Sequence, residues 1–288
     1  MKIRKAVIPA AGFGTRMLPI SKSIPKEMLP LVDKPAIQWI VEEAVQSGIS
    51  DILIIVSRGK TSVEDHFDRG PELESFLENT GKMTLLREME DISRLANIHF
   101  LRQQVALGLG HAVLLARSFV GEEPFAVLYG DDVVVGQRPA TLELCEAFEE
   151  YGKSVVGIKP VSPEELRQCS SLAVSPLENN RFAVSDMIEK PLPEEALSPY
   201  AIMGRCLLTP EIFTYLAATP KGVGGELQLT DAMKQMARSQ GMIGVEYGGK
   251  RYDTGNKLNY IQANVELALA HPEIGPAFRE YLRTLPLD

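Results

Sequence analysis

The most constraining feature of the sequence is a run of five consecutive apolar residues, Ile52–Val56. A continuous apolar run, without polar residues at alternate positions, is typical of a strand that is buried on both faces of a parallel sheet. Apolar runs at residues 6–8, 98–101 (with His99 inside it) and 125–129 are three more candidate strands. These runs predict an open sheet that is covered on both sides.

Amphipathic segments separate the apolar runs. From about Pro35, apolar residues recur at spacings of three and four, which predicts one helix with Pro35 in its first turn and Gly48 just beyond its end. A second helix is predicted at about residues 111–118, and residues 61–96 are interpreted as an inserted helical excursion. Alternation of strands and helices indicates crossover units and a mostly parallel sheet.

The pattern changes after about residue 153, where short strands are separated by turn residues. The final stretch, 274–287, is interpreted as a packed tail, with an amphipathic helix at a subunit contact as the alternative. We expect one domain over residues 1–288. The strands predicted in this half lie at residues 155–158, 172–174, 182–184 and 200–208, and the helices near residues 210–218, 226–240 and 257–270.

Charge and cysteine content limit the function classes. The net charge of −8 argues against a general nucleic-acid binder, which needs a basic surface. The three cysteines, Cys145, Cys169 and Cys206, have no zinc-type spacing and are interpreted as reduced thiols. The first apolar run is too short for a signal peptide, and no stretch reaches the roughly 18 apolar residues of a membrane span. We therefore expect a cytoplasmic protein that binds no membrane.

A glycine-rich loop, Ala10–Arg16, follows the first predicted strand. Glycines let backbone N–H groups approach a phosphate closely. A dinucleotide-binding dehydrogenase also has such a loop, but its fingerprint needs a third glycine where this chain has Met17. It also needs an acid at the end of the second strand, whereas Asp33 lies in a loop before a helix. The residues around the glycine loop therefore argue against a dehydrogenase.

Three cations, Arg16, Lys22 and Lys26, follow the glycines within eleven residues. Prolines lie between them, and each proline fixes a backbone dihedral and stiffens the loop. Such a loop suits a triphosphate, although a solvated surface loop is the simpler alternative.

The segment resembles the signature of the sugar-nucleotide pyrophosphorylases, a Gly-x-Gly-Thr-Arg loop followed by Pro-Lys. Its longer form, through Pro25–Pro30 and Lys34–Gln38, resembles the bacterial UTP–glucose-1-phosphate uridylyltransferases in particular. One departure is Ser21, where that family usually has Thr. The resemblance implies a Rossmann-like α/β/α sandwich with a mostly parallel mixed central sheet and small added β elements. It also implies Mg²⁺ as cofactor, and UTP and glucose 1-phosphate as substrates.

The resemblance assigns the nucleotide to the first half of the chain. It implies that Arg16 and Lys26 are catalytic cations and that Gln103 pairs with uracil beside Gly108. An amide can donate and accept, so it can read a pyrimidine edge; Gln104 is the nearby competitor, and His111 is interpreted as structural. The remaining residues implied to bind the nucleotide are Ala10, Ala11, Gly12, Gly14 and Thr15.

Two acidic motifs are candidate metal sites. Gly130-Asp131-Asp132 follows the run 125–129, at the edge of a parallel sheet where ligands bind. Mg²⁺ is typically held there by one or two carboxylates and substrate phosphates. A turn or helix cap is the simpler alternative, and template-dependent polymerases carry Gly-Asp-Asp on a hairpin for which no partner is evident here. The second motif, Asp253-Thr254-Gly255, precedes a predicted helix, where a capping or turn residue is the simpler alternative. The resemblance implies Asp131 and Asp253 as the metal ligands, with Asp132 outside the ligand set.

Residues of the second half are assigned to the sugar by the resemblance. Glu189 is implied to bind sugar hydroxyls and Lys190 the sugar phosphate, with Gly204 close to the sugar. Ser171–Ala173 replaces a usual Tyr-Gly, and Cys206 stands where an aromatic is common. These departures make the sugar preference less secure than the nucleotide preference.

The expected organisation is a mainly nucleotide-binding part, residues 1–150, and a mainly sugar-binding part with C-terminal helices, residues 151–288. We expect a homodimer or homotetramer. Alternatives are the same chemistry on another pair, such as dTTP with glucose 1-phosphate or GTP with mannose 1-phosphate, and a non-catalytic regulatory subunit that binds sugar nucleotides.

Overall fold

The computed structural model describes residues 2–286, apart from the side chain of Val223. Its strands are β1 Lys5–Ala10, β2 Pro30–Leu31, β3 Lys34–Pro35, β4 Asp51–Val56, β5 Asn97–Arg102, β6 Phe125–Leu128, β7 Asp132–Val135, β8 Val155–Pro160, β9 Ser170–Pro176, β10 Arg181–Glu189, β11 Tyr200–Leu208, β12 Met242–Val245 and β13 Lys250–Asp253. Its α-helices are α1 Ala36–Gln46, α2 Thr61–Phe67, α3 Pro71–Asn79, α4 Met83–Ser93, α5 Leu109–Leu115, α6 Arg117–Val120, α7 Ala140–Tyr151, α8 Pro163–Leu166, α9 Ile212–Ala218, α10 Leu229–Gln240, α11 Lys257–Ala270 and α12 Gly275–Thr284.

A nine-stranded mixed sheet forms the centre, in the order β5-β4-β1-β6-β11-β8-β12-β10-β9. The first four strands pair in parallel, and β12 pairs in parallel with β8. Strands β10 and β11 run against their neighbours. Most strands therefore share one direction, which confirms the predicted mostly parallel mixed sheet. The pairs β7–β13 and β2–β3 form two small separate sheets.

The sheet is buried on both faces, as the apolar run in β4 predicts. Ile52 and Ile54 pack in the core cluster that includes residues of α1, α7 and α11. Leu53 and Ile55 point the other way and pack with residues of α5, α9 and α10. Because successive side chains of a strand alternate between faces, one run of five apolar residues contributes to both cores.

Most predicted elements are confirmed, and seven strands and helices within residues 2–286 are additional. The predicted strands and helices correspond to β1, β4–β6, β8–β11, α1–α6 and α9–α11, while β2, β3, β7, β12, β13, α7 and α8 were not predicted. Pro35 precedes α1 instead of lying in its first turn, which corrects that prediction. The final stretch forms α12, packed against α11; Leu287 lies outside the described residues. No helix among residues 2–286 is long and apolar enough to cross a membrane.

The strand order places the predicted motifs at one edge of the sheet. Strands β1 and β6 are parallel neighbours, so Ala10 and Leu128 end at the same edge. The glycine loop leaves β1 there, and the turn carrying Asp131 leaves β6. The β7–β13 pairing sets Asp132 opposite Asp253. Ligands of open α/β sheets bind at this carboxyl edge.

Candidate functional site

A cleft of about 680 Å³ lies at this edge of the sheet. Five of the predicted site residues line it: Arg16, Asp131, Glu189, Lys190 and Asp253. They come from the loop after β1, the turn after β6, the end of β10 and the end of β13. The topology therefore brings together residues that the sequence separates widely.

Two cations of the signature loop contact the two predicted metal ligands. Lys26 Nζ lies 2.5 Å from Asp131 Oδ2, and Arg16 Nη1 lies 2.7 Å from Asp253 Oδ2. Arg16 Nη2 also lies 3.7 Å from Asp131 Oδ2. Burial alone would raise the pKa of the Asp131 carboxyl, but the charge of Lys26 lowers it below its ordinary value. Asp131 is therefore a carboxylate at neutral pH.

The two carboxylates converge on Gly255. Asp131 Oδ2 and Asp253 Oδ1 lie 2.7 and 3.0 Å from the position that a Cβ on Gly255 would take. Within residues 2–286, no group of three His, Cys, Asp or Glu side chains could hold a metal by itself. Two converging carboxylates fit a Mg²⁺ ion that takes its other oxygen ligands from substrate phosphates and water.

Asp132 has a different environment from Asp131. Its side chain is buried, and its Oδ1 lies 2.6 Å from Nη2 of Arg251, which also lines the cleft. Arg251 was not predicted from the sequence. Arg251 could have been found from its position two residues before Asp253 in β13, because residues at that spacing share one face of a strand. Asp132 is therefore held by an arginine, in keeping with its predicted place outside the metal ligands.

The glycine loop packs beside Lys26. Ala10 ends β1, the buried Ala11 follows, and Thr15 begins a 3₁₀ turn. Lys26 Nζ lies 3.9 Å from the position of a Cβ on Gly12, an ordinary van der Waals separation, so the lysine lies beside this glycine. The Ser21 hydroxyl donates a hydrogen bond of 2.7 Å to the carbonyl of Gly14. A threonine could make the same bond, so this departure preserves the loop.

Gln103 and Gly108, the two residues that the resemblance assigns to the base, are in contact. Gln103 is buried after β5, and its Nε2 donates to Gly108 O at 3.3 Å. The same nitrogen lies 2.8 Å from Nδ1 of His111, which agrees with a structural role for that histidine. Gly108 has φ 99°, and a Cβ there would lie 2.7 Å from Glu226 Cβ, so a larger residue would collide.

The predicted sugar residues lie at the other side of the cleft. Glu189 Oε2 accepts a 2.7 Å hydrogen bond from Oγ1 of Thr230, and burial raises the pKa of Glu189. Lys190 is exposed and has φ 47°, a left-handed backbone that its N–H bond to Cys169 O helps to hold. Its ammonium group is therefore open to a phosphate.

Gly204 lies behind the cleft wall instead of on it. Its φ is 64°, and its Cα packs against the carboxyl of Asp132. Its neighbours in β11, Ile202 and Met203, line the cleft. Gly204 therefore lies against Asp132 of the acidic motif and does not itself line the cleft.

A comparison with protein families settles the classification. The model of the nucleotidyl transferase family matches residues 5–269. The chain belongs to this family. A UTP–glucose-1-phosphate uridylyltransferase of Bacillus subtilis, YngB, is 50% identical over 281 residues, which cover 98% of this chain and 95% of that protein. A UTP–glucose-1-phosphate uridylyltransferase of Staphylococcus epidermidis is 46% identical, with 99% of both chains covered.

Two solved structures have the same fold as this nucleotidyl transferase. UTP-bound UGPase from Acinetobacter baumannii superposes with a TM-score of 0.91 at 37% identity, covering 98% of this chain and 99% of that one. UDP-glucose pyrophosphorylase complexed with UDP-glucose gives a TM-score of 0.84 at 39% identity, covering 93% and 100%. Both agree with the predicted α/β fold and with the resemblance found in the sequence.

The two departures in this family member lie inside the protein. Ser171 is fully buried, and its hydroxyl donates to Ser198 O at 2.8 Å. Cys206 is buried in β11, and burial raises the pKa of its thiol to about 12. Ser170, which was not singled out from the sequence, lines the cleft and accepts from Ile202 N. Ser171 and Cys206, the two departures, do not line the cleft themselves.

Proposed function

We propose that this nucleotidyl transferase transfers the uridylyl group of UTP to glucose 1-phosphate and releases pyrophosphate. The observation that carries the proposal is the cluster in which Arg16 and Lys26 meet Asp131 and Asp253. Arg16, both carboxylates and Lys190 line one cleft, and Lys26 contacts that cleft's Asp131. The full-length relatives that carry this activity in their names support the choice of substrates.

In this mechanism, a phosphate oxygen of the sugar 1-phosphate attacks the α-phosphorus of UTP in line. The new P–O bond forms as the bond to the β-phosphate bridging oxygen breaks, and pyrophosphate leaves with the electron pair. A phosphate oxygen is already anionic at neutral pH, so the step needs no general base. Catalysis consists of holding two anions together and stabilising the charge that develops.

Arg16 and Lys26 would exchange their carboxylate partners for phosphates of the substrate. Arg16 and Lys26 are paired with Asp253 and Asp131. On substrate binding they would turn to the triphosphate, and the two carboxylates would hold Mg²⁺. The metal supplies positive charge to the phosphates when bound. Lys190 would bind the phosphate of the sugar substrate.

Different residues would recognise the base and the sugar. Because Gln103 Nε2 is directed to Gly108 O and His111, its Oε1 would accept the N3–H of uracil. Glu189, oriented by Thr230, would accept sugar hydroxyls. Residues 1–150 would bind mainly the nucleotide and residues 151–288 mainly the sugar, within one domain. Asp253 is the exception, because it would act on the nucleotide side.

The deciding experiment measures pyrophosphate release from UTP, dTTP, CTP, ATP and GTP. Each nucleotide is paired with glucose 1-phosphate and with galactose 1-phosphate, with and without Mg²⁺. We expect UTP with glucose 1-phosphate and Mg²⁺ to give the highest kcat/KM. Absence of activity with UTP would overturn the proposal, and a preference for dTTP would move it to the alternative pair.

We further propose a homodimer or homotetramer in a reducing, cytoplasmic setting. The three cysteines are free, and Cys145 and Cys206 are buried, which suits a reducing compartment. Light scattering coupled to size-exclusion chromatography tests the oligomeric state; a monomeric mass would contradict it.

A further inference from the structure

A buried ion pair lies beneath the signature loop. Lys60 and Glu27 are 7% and 0% exposed, and Lys60 Nζ lies 2.7 and 2.9 Å from the two carboxylate oxygens of Glu27. The same nitrogen donates to the carbonyl oxygen of Ala10 at 2.6 Å. An ammonium group has three N–H donors, and these three acceptors use them. Lys60 therefore does not contact a substrate itself.

The pair joins the two ends of the loop. Ala10 is the last residue of β1, where the loop begins, and Glu27 directly follows the phosphate-gripping Lys26. Lys60 comes from a different part of the chain, between β4 and α2. Through one nitrogen atom, it fixes the distance between the start of the glycine loop and the backbone that carries Lys26.

We propose that Lys60 is a positioning residue, which acts through Glu27 and Ala10 to set the place of Lys26 beside Gly12 and Asp131. The inference rests on the proposed function in that Lys26 grips the triphosphate. Lys26 Nζ is 2.5 Å from Asp131 and 3.9 Å from the Cβ position of Gly12, so a small shift of its backbone moves the charge away from the glycines. A misplacement of about 1 Å can cost about 10²-fold in rate.

The energetics of the buried Lys60–Glu27 pair explain why the two residues act together. Burial raises the pKa of Glu27 and lowers that of Lys60, because each charge is expensive to remove from water. Each charge is stabilised by the other, so removal of one leaves the second uncompensated. Removal of both charges avoids that cost, but the carbonyl oxygen of Ala10 still loses its hydrogen bond to Lys60.

The kinetic test compares K60M and the double variant E27Q/K60M with the wild type. We expect kcat/KM for UTP to fall about 10²-fold in both, with KM for glucose 1-phosphate within about threefold of wild type. L144A is the matched control, because Leu144 is 1% exposed in the core of α7 and lies outside the cleft. It should lower Tm and leave kcat/KM unchanged. A double variant that folds and retains wild-type kcat/KM for UTP would overturn the inference.

Hydrogen exchange without substrate separates this inference from the proposed function. We expect backbone amides of residues 10–29 to exchange faster in E27Q/K60M than in the wild type, with β4 unchanged. L144A should leave residues 10–29 protected. Unchanged exchange at residues 10–29 in the double variant would overturn the positioning role, whatever the enzyme does with UTP. Inactivity of the wild type with UTP would instead overturn the proposed function.

Discussion

Arg16 and Asp253, 237 positions apart in the chain, form a hydrogen-bonded ion pair of 2.7 Å. A second bond of 3.2 Å joins Arg16 Nη2 to Asp253 Oδ1. The pair connects the loop after β1 to the end of β13, so the two acidic motifs and the glycine loop form one charge network. In the proposed reaction, substrate phosphates would draw Arg16 away from this carboxylate, which would then be free to bind metal.

Removal of either predicted metal carboxylate should lower turnover. We expect Asp131→Asn and Asp253→Asn to cost about 10²–10³ in kcat at saturating Mg²⁺, because each variant loses charge stabilisation at the phosphates. Pyrophosphate release is the measurement. Asp186→Asn is the matched control, since Asp186 also pairs with an arginine at 2.7 Å but lies outside the cleft. Near-normal turnover of Asp131→Asn or Asp253→Asn would contradict the assigned role.

Lys190 should matter for the sugar phosphate. Its ammonium group is exposed in the cleft, and we expect Lys190→Ala to lower kcat by about 10²–10³ and to raise KM for glucose 1-phosphate. KM for UTP should change little. Lys82→Ala, at an exposed lysine of the inserted helices, is the control and should behave as wild type. A variant that lost only affinity for UTP would place Lys190 on the nucleotide instead.

Gln103 should determine which nucleotide base the enzyme prefers. Gln103→Leu removes the amide, so we expect kcat/KM for UTP to fall and the preference for UTP over CTP to shrink, each by about tenfold or more. Gln104→Leu tests the neighbouring glutamine, which is exposed and lies beyond the buried contact with Gly108. If Gln104→Leu alone changed the base preference, the assignment of Gln103 would be wrong.

The sequence predicted what depends on local pattern. The continuous apolar run of β4 and the compact signature around Arg16 and Lys26 each occupy one short segment, so they were readable without the fold. Lys60 and Arg251 were missed because single cations have no local pattern; their partners, Glu27 and Asp132, lie far away in sequence. Strands β7 and β13 were missed for the same reason, since each is four residues long and pairs only with the other.

The buried pair of Glu43 and Arg205 should make stability depend on acid pH. Arg205 Nη2 lies 2.6 Å from Glu43 Oε2, and Thr141 donates to Oε1. Burial alone would raise the pKa of Glu43, but Arg205 and Thr141 hold it below its ordinary value. A carboxylate with a lowered folded pKa contributes stability above its unfolded pKa of about 4.3, and this is lost as pH falls towards the folded value.

Glu43→Gln tests this pair by leaving Arg205 uncompensated in the core. We expect the free energy of unfolding at pH 7 to fall by about 3–5 kcal/mol, measured by denaturant titration. The difference from wild type should shrink as pH falls below about 4.3, because the unfolded chain then takes up a proton at Glu43 before the folded protein does. Glu280→Gln, which breaks an exposed pair with Arg283, should have little effect. A difference that stayed constant down to pH 3 would contradict the lowered pKa.

Gly204→Ala should separate backbone strain from collision. Gly204 and Gly81 both have positive φ, 64° and 71°, so an alanine at either costs about 1–2 kcal/mol in the left-handed region. Nothing lies within 4 Å of a Cβ on Gly81, whereas a Cβ on Gly204 would overlap the carboxyl of Asp132. Asp132 is held by Arg251 and cannot yield without breaking that pair. Gly204→Ala should therefore lower Tm clearly more than Gly81→Ala and reduce pyrophosphate release, because Asp131 adjoins the displaced residue. Equal losses of Tm in the two variants would show that Asp132 yields freely.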